Sequence, residues 1–280
     1  MRRVFSCVLL LVLLAVLLSG CKQTQEESSV ILASDPVESY DNESLFLPER
    51  TDTSEGQDIS GFIVKDKLYT YGQNNVALLN IKNETDKDYT LTVNGTYFDK
   101  DGKVLKTETQ TFCDFVSGYQ GYFLFCPEMA FATFSYTLSY ADFAGEPRLS
   151  AIKQVEWDFE HADYQVWPEP NLDFTDITEN VLYTKWTLFN ESSTVFHVKA
   201  TVIAIDGNDN ILCVNPLGYK EMPADAASGM GVEIFRTTHE LKTDRSTWPD
   251  HLQKGLTLIV IPTDAMTVTE FREWMSSMRN

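Results

Sequence analysis

The sequence repeats itself, and the repeat fixes the unit of folding. Sliding the chain along itself brings Ala77–Leu105 onto Thr184–Leu212 without a gap. Asn83-Glu84-Thr85 then meets Asn190-Glu191-Ser192, Tyr89 meets Phe196, Leu91 meets Val198 and Val93 meets Ala200. Phe98, Asp99, Val104 and Leu105 meet Ile205, Asp206, Ile211 and Leu212. In the longest strand the matched positions mostly alternate, which is the period of a strand with one buried face. Further on, Ser117-Gly118 recurs as Ser228-Gly229, each before an apolar run ending in Phe125 or Phe235. Two copies of one domain explain the pattern.

Each copy reads as strand, Asn-turn, long strand, polar tip and strand. The predicted strands are Val76–Lys82 and Tyr89–Phe98 in the first copy, and Tyr183–Phe189 and Phe196–Ile205 in the second. The tips are Asp99-Lys100-Asp101-Gly102 and Asp206-Gly207-Asn208-Asp209-Asn210, turn residues between alternating β-branched and aromatic runs. Phe134, Tyr136, Leu138 and Tyr140 share a face of a later strand, while Leu256–Ile261 is continuously apolar. Thr267-Val268-Thr269-Glu270 has capping-box spacing and precedes an apolar stripe of Val268, Phe271, Trp274, Met275 and Met278. The fold class expected is all-β: two tandem immunoglobulin-like antiparallel β-sandwiches with a short C-terminal helix.

The N-terminus is of another kind. Arg2 and Arg3 precede an almost wholly apolar run from Val4 to Leu18. That run is short of the roughly 20 residues a spanning helix needs, and it suits a secretory signal. Leu18-Ser19-Gly20-Cys21 resembles the lipobox of bacterial lipoproteins. The resemblance implies cleavage before Cys21 and a lipid on its thiol, hence a protein anchored to a cell membrane on the extracytoplasmic face. The expected division is a signal peptide over 1–20, a flexible acidic tether over 21–57, a first sandwich over 58–165 and a second over 166–280. The tether is rich in acids, Ser, Thr and Pro, with Leu45-Phe46-Leu47 as an apolar exception able to dock on the body. Two prolines make Tyr164–Pro170 the expected hinge.

Strand, Asn-turn, alternating strand and Tyr97-Phe98-Asp99-x-x-Gly102-Lys103-Val104-Leu105 together resemble the FxLYD-type and related immunoglobulin-like domains of bacterial lipoproteins. The likeness covers about 60 residues of the first copy and weakens in the second, where Gly102 becomes Asp209. It supports fold and location and brings no active site.

Charge narrows the partners. The chain has 41 acids against 22 bases, a net charge of -19, and loss of the signal would remove two of the arginines. Nucleic acid and anionic lipid surfaces need clustered bases, so neither is an expected partner. The membrane, reached through the lipid, and another envelope protein or an extracellular ligand are.

Candidate chemistry is sparse. Beyond Cys7 and Cys21, three cysteines remain, so at most one bridge can form. Cys113 and Cys126 flank an apparent turn; a disulfide between them is one reading and two buried thiols the other. Asp99, Asp101, Gly102 and Glu108 fall at calcium-loop positions, but the first position is Tyr97 and the flanks are strands, so a hairpin tip is favoured over weak calcium binding. His161, His197, His239 and His251 have no ligand spacing, with His197 expected to be exposed. No metal site or cofactor is implied. Asn42, Asn83, Asn94 and Asn190 lie in Asn-x-Ser/Thr triplets read as turn chemistry. Phe112, Phe115, Tyr119, Tyr122, Phe123 and Phe125 crowd one hairpin, and core or inter-domain packing is preferred to a binding patch. The chain therefore reads as a non-catalytic binding or structural lipoprotein. A cell-envelope hydrolase or carbohydrate-binding accessory protein is the alternative.

Overall fold

The computed structural model describes residues 49–50, 59–171 and 177–278. Cys21, the signal, Asn42 and Leu45–Leu47 lie outside them. The chain is all-β. Its first half comprises β1 (Glu49–Arg50), β2 (Phe62–Tyr71), β3 (Asn74–Asn83), β4 (Tyr89–Phe98), β5 (Val104–Phe115), β6 (Gln120–Phe125) and β7 (Thr133–Asp142). The second comprises β8 (Ile152–Gln154), β9 (Tyr164–Pro170), β10 (Thr178–Asn190), β11 (Phe196–Asp206), β12 (Ile211–Met222), β13 (Ala226–Thr237) and β14 (Leu256–Thr267), then a helix over Val268–Ser277. No helix among the described residues is long and apolar enough to cross a membrane.

The two halves share one topology. In the first, β2-β3-β6 form one sheet and β1-β7-β4-β5 the other. In the second, β12-β11-β14 form one sheet, while β10 is flanked by β13 on one side and by β8 and β9 on the other. Setting aside β1 and β8, each copy places its first, second and fifth strands in one sheet and its third, fourth and sixth in the other. That is an immunoglobulin-like partition.

The same side-chain devices close both copies. Asn83 and Asn190 are fully buried. The Asn83 amide donates to the carbonyls of Lys87 (2.8 Å) and Phe115 (3.0 Å), while its oxygen accepts from the Thr85 amide. Asn190 donates to Thr194 (2.9 Å) and Pro223 (3.0 Å) and accepts from Ser192. Each asparagine thus ties the turn after its strand to the end of the copy's fourth strand. At the tips, Asp99 accepts from the amides of Asp101 and Lys103, and Asp206 from those of Asn208 and Asn210. The left-handed residue that closes each tip is Gly102 (φ 77°) or Asp209 (φ 65°), matched positions of the repeat. Asp99 is spent on turn amides and Glu108 accepts from the Tyr97 hydroxyl, so the calcium-loop pattern is a hairpin tip.

Three apolar layers separate four successive sheets. The first lies inside the first sandwich and holds Phe112, Phe115, Tyr119, Phe123, Phe125, Phe134, Tyr136 and Leu138. Another fills the second sandwich around Trp186, Leu188, Val202, Ile234 and Trp248. Between them, Val76 and Leu78 of β3 pack on Ile203 and Ile205 of β11, Ile211 of β12, and Ile259 and Ile261 of β14, with Tyr122 and Leu124 at the margin. The crowded aromatics therefore divide between core and inter-sandwich packing. The runs that meet in this layer, Val76–Leu79, Val202–Ile205 and Leu258–Ile261, are apolar on successive residues because both their faces are covered.

The connection between copies is held at both ends. Buried Asp114 accepts from the amides of Arg148 (2.5 Å) and Ser150 (3.0 Å) and from the Ser150 hydroxyl (3.0 Å). Arg148 makes a two-pronged pair with Glu270 at 2.9 Å in the first turn of the helix. The expected capping box of Thr267 and Glu270 is present. Phe271 of that helix stacks on His197 with ring centres 3.9 Å apart, so this imidazole is largely covered and not exposed as expected.

Other expectations are corrected. Both β8 and β9 pair with β10, so the division after 165 cuts through the second sandwich, and Tyr164–Pro170 is a strand and not a hinge. Its prolines are tolerated because β9 is an edge strand. Glu49–Arg50, assigned to a tether, pair parallel with Ser135–Tyr136. No disulfide joins Cys113 to Cys126. β5 and β6 belong to different sheets, and Cys113 lies on the outer face of its own while Cys126 packs at the inter-sandwich layer. Ser228-Gly229 lies within β13, so it is not the counterpart of Ser117-Gly118; the turn at Gly118 (φ 75°) corresponds to that at Asp225 (φ 46°).

Ile203 occupies the position of Thr96 in the first copy. Ile203→Thr is expected to cost about 2 kcal/mol through lost packing and a buried hydroxyl. Calorimetry should show the unfolding transition lowered or split in two. An unchanged single transition would mean that the central layer does not couple the copies.

Candidate ligand-binding groove

The site lies where the second copy departs from the first. In the first copy β2 runs unbroken along β3 from Phe62, opposite Asn83. In the second, Ile152 stands opposite Asn190 in the equivalent place, but the strand stops at Gln154 and resumes at Tyr164. The intervening loop is pinned from several sides. The Trp157 indole donates to the Lys185 carbonyl (3.1 Å), and Trp157 and Phe159 pack around Tyr164, which meets Trp248 edge-on at 4.8 Å. The Arg245 guanidinium covers the Phe159 ring at 4.8 Å and bonds Glu160 at 2.6 Å. The loop's last residue is Asp163.

Alternation along β9 then sorts its side chains. Tyr164 and Val166 face the core, so Gln165, Trp167 and Glu169 face out. β10 adds Tyr183 and Lys185 to this outer face. On β13, Gly231 stands opposite Lys185, Gly229 opposite Thr187 and Glu233 opposite Tyr183. Together Asp163, Gln165, Trp167, Glu169, Tyr183, Thr184, Lys185 and Gly231 line an open groove of about 300 Å³. Trp167 is 56% exposed, the most exposed aromatic among the large apolar side chains that stand out in solvent.

Two sets of polar bonds hold the rim. Lys185 bonds Asp163 at 2.7 Å. Tyr183 donates to Glu169 at 2.6 Å. Arg236 reaches Glu233 through Nε (3.0 Å) and Nη2 (2.9 Å), Glu179 at 3.1 Å and Glu169 at 3.2 Å. Bonds to Glu233 and Glu179 raise the Arg236 pKa further and hold its charge. Burial, the bond to Glu169 and the nearby carboxylates push the Tyr183 phenol up to about 12. Of the charged groups that line the groove, two are carboxylates, Asp163 and Glu169, and one is a cation, Lys185, which leaves it modestly negative. It offers a flat indole face, a side-chain-free floor at Gly231, and a rim of oxygen acceptors with an amine and an amide.

Of the sequence-predicted site residues, Cys21 lies outside the described residues, and Cys113 and Cys126 are far from the groove in sequence and in sheet. Among the described residues no cluster of three or more His, Cys, Asp or Glu is placed to hold a metal ion. The prolines beside Trp167 point to a hinge, and the structure places Trp167 on the outer face of β9. The signal that finds it is the alternation Tyr164, Val166 against Gln165, Trp167, Glu169.

No protein family and no curated protein matches the sequence. Among solved structures, red sea bream transglutaminase aligns at 9% identity and a TM-score of 0.17 over 74% of this chain and 32% of its own. A GH2 β-galacturonidase from Eisenbergiella tayi aligns at 11% and 0.20 over 70% and 36%. The chain thus spans about a third of the length of each. The CBM22 tandem domain of Paenibacillus barcinonensis Xyn10C aligns at 8% and 0.12 over 80% and 97%. TM-scores of this size are too low to define a shared fold.

Because folding raises the Tyr183 pKa, the bond to Glu169 contributes fully below pH 10 and is lost as pH rises toward about 12. Tyr183→Phe is expected to flatten the fall in stability across that window, read as the urea midpoint against pH. An unaltered slope would show that the phenol does not donate to Glu169 in solution.

Proposed function

We propose that the protein is a membrane-anchored extracytoplasmic lipoprotein that acts as a non-catalytic binding module through the groove around Trp167. One observation carries the binding part. A bulky indole stands more than half exposed over a groove on the second copy, next to the loop inserted in its first strand, while the matching sheet of the first copy packs against the central layer. An exposed aromatic beside convergent polar groups is the usual make-up of a ligand site. The tandem sandwiches form its support, and the Leu18–Cys21 motif is the basis for the anchor.

The groove favours binding over hydrolysis. A glycoside hydrolase needs a proton-donating carboxylic acid facing a second carboxylate across the scissile bond. Here Asp163 is paired with Lys185, and Glu169 and Glu233 are both clasped by Arg236. They are arranged as acceptors in ion pairs.

Cys21→Ser is expected to move the protein from the membrane fraction to the soluble fraction and to abolish palmitate labelling. Retention in the membrane would remove the anchor from the proposal. For the groove, Trp167→Ala is expected to shift stability by less than about 0.5 kcal/mol, as surface changes do. It should lower binding of the detergent-solubilised protein to isolated envelopes of the producing cells by tenfold or more. Equal binding by both forms would place the ligand face elsewhere.

A further inference from the structure

We infer that the Trp167 groove takes a segment of an uncharged polysaccharide. The inference rests on the groove being the binding face, and it adds the class of ligand. The first reason is the floor. Gly229 and Gly231 sit within β13, where glycine weakens a strand for want of side-chain packing. Neither has a positive φ, and a Cβ added at Gly231 would come no closer than 4.0 Å to any atom, the Thr184 carbonyl. At Gly229 the nearest atoms lie at 3.4 Å, ordinary contact. Nothing inside the protein requires glycine at either place. What their absence of side chain does is keep the outer face clear beside Lys185 and Thr187, which lets a ligand approach the sheet.

The second reason is the match of chemistry. A pyranose ring has a flat C–H face and a rim of hydroxyls, each of which both donates and accepts. The indole of Trp167 offers a flat apolar surface for the first. Asp163, Glu169 and Gln165 accept, and Lys185 and the Gln165 amide donate, around the same groove. Because the acids are held by Lys185, Tyr183 and Arg236, they are positioned before a ligand arrives and lose little freedom on binding.

Other ligand classes fit less well. An acidic polymer would meet the carboxylates of Asp163 and Glu169 against one lining cation, Lys185, in a chain of net charge -19. A cationic one would have to displace Lys185 and Arg236 from the carboxylates that hold them, where a neutral hydroxyl needs only a spare lone pair. An apolar peptide would bury the polar rim against carbon and leave it without hydrogen bonds. The openness of the groove suits part of a chain better than a single enclosed sugar.

Affinity electrophoresis of the full-length protein in non-ionic detergent tests this. The probes are soluble xylan, mixed-linkage glucan and galactomannan, with polygalacturonate as the acidic polymer and chitosan as the basic one. Retardation by at least one neutral polymer is expected, with no Trp167-dependent retardation by the charged pair. Trp167→Ala and Gly231→Thr should each weaken it tenfold or more without lowering the thermal midpoint. Gly231→Thr is the sharper variant, since it adds a strand-favouring side chain and removes only the clear floor. Absence of retardation by every neutral polymer would overturn the inference. Trp167-dependent retardation by polygalacturonate or chitosan would overturn the ligand class while leaving the groove as the binding face. Retardation by a neutral polymer that neither substitution alters would overturn both.

Discussion

The contact of β3 with β11 and β14 governs the rest of the molecule. Val76 and Leu78 on one side, and Ile203, Ile205, Ile259 and Ile261 on the other, bury the outward faces of two sheets against each other. Each of those sheets also faces its own sandwich core, so neither has a broad face left to offer. Sheets pack face to face about 10 Å apart, and a layer of branched aliphatics fills such a gap without polar atoms to satisfy. With the inner sheets occupied, only the two outermost sheets can present a broad face to solvent. The connection between copies follows the same constraint: Asp114 fixes Arg148 and Ser150 by backbone bonds, where a free linker would have left the sheets to separate.

The two copies show which features folding needs and which are open to change. The buried asparagines, the aspartate-closed tips and the left-handed fourth tip residue appear in both, because each satisfies backbone groups that a sandwich would otherwise bury unpaired. Outward positions carry no such duty. Thr96 and Phe98 of β4 stand where β11 has Ile203 and Ile205, and that change of surface character makes one copy's sheet a packing face. The inserted loop before β9 is a second change, and it produces a groove on a sheet whose counterpart in the first copy lies against the central layer.

Much of this was legible in the sequence. β4 spans Tyr89–Phe98, the predicted limits, because strict alternation of Tyr89, Leu91, Val93 and Tyr97 with small polar residues admits one strand and one register. The capping box of the helix was legible because both partners lie within one turn. The continuous run Leu256–Ile261 already signalled burial on both faces. What covers the second face was not readable, since it depends on residues more than a hundred positions away. Local cues misled in three places. Prolines at 168 and 170 suggested a hinge, yet an edge strand tolerates them where no ladder partner waits for the missing N–H. Cys113 and Cys126 flank what resembles a hairpin turn, but the chain crosses from one sheet to the other there. Ser228-Gly229 copies a turn dipeptide in letters while lying in mid-strand.

The two outer sheets differ in what they leave for a ligand. The first presents Thr90, Thr92, Asn94, Thr109 and Thr111, and these bond one another or the backbone: Thr92 meets Thr111 at 3.3 Å, Thr109 donates to Asn94 at 2.7 Å and Thr90 to the Cys113 carbonyl at 2.7 Å. Across its middle, such a face of short, mutually bonded hydroxyls offers little relief, and its exposed apolar side chains, Val104 and Leu105, stand at the end of β5 and not over a groove. The second outer sheet has both relief and exposed carbon. Gly231 lowers its floor, Trp167 and Asp163 line the groove around it, and the indole supplies apolar area whose removal from water contributes roughly 25 cal/mol per Å². Ion pairs hold the rim groups in place without using up their remaining lone pairs, so the polar contacts add direction to that apolar gain. Relief and exposed carbon coincide on the one outer sheet whose edge strand is interrupted, and the groove follows from that interruption.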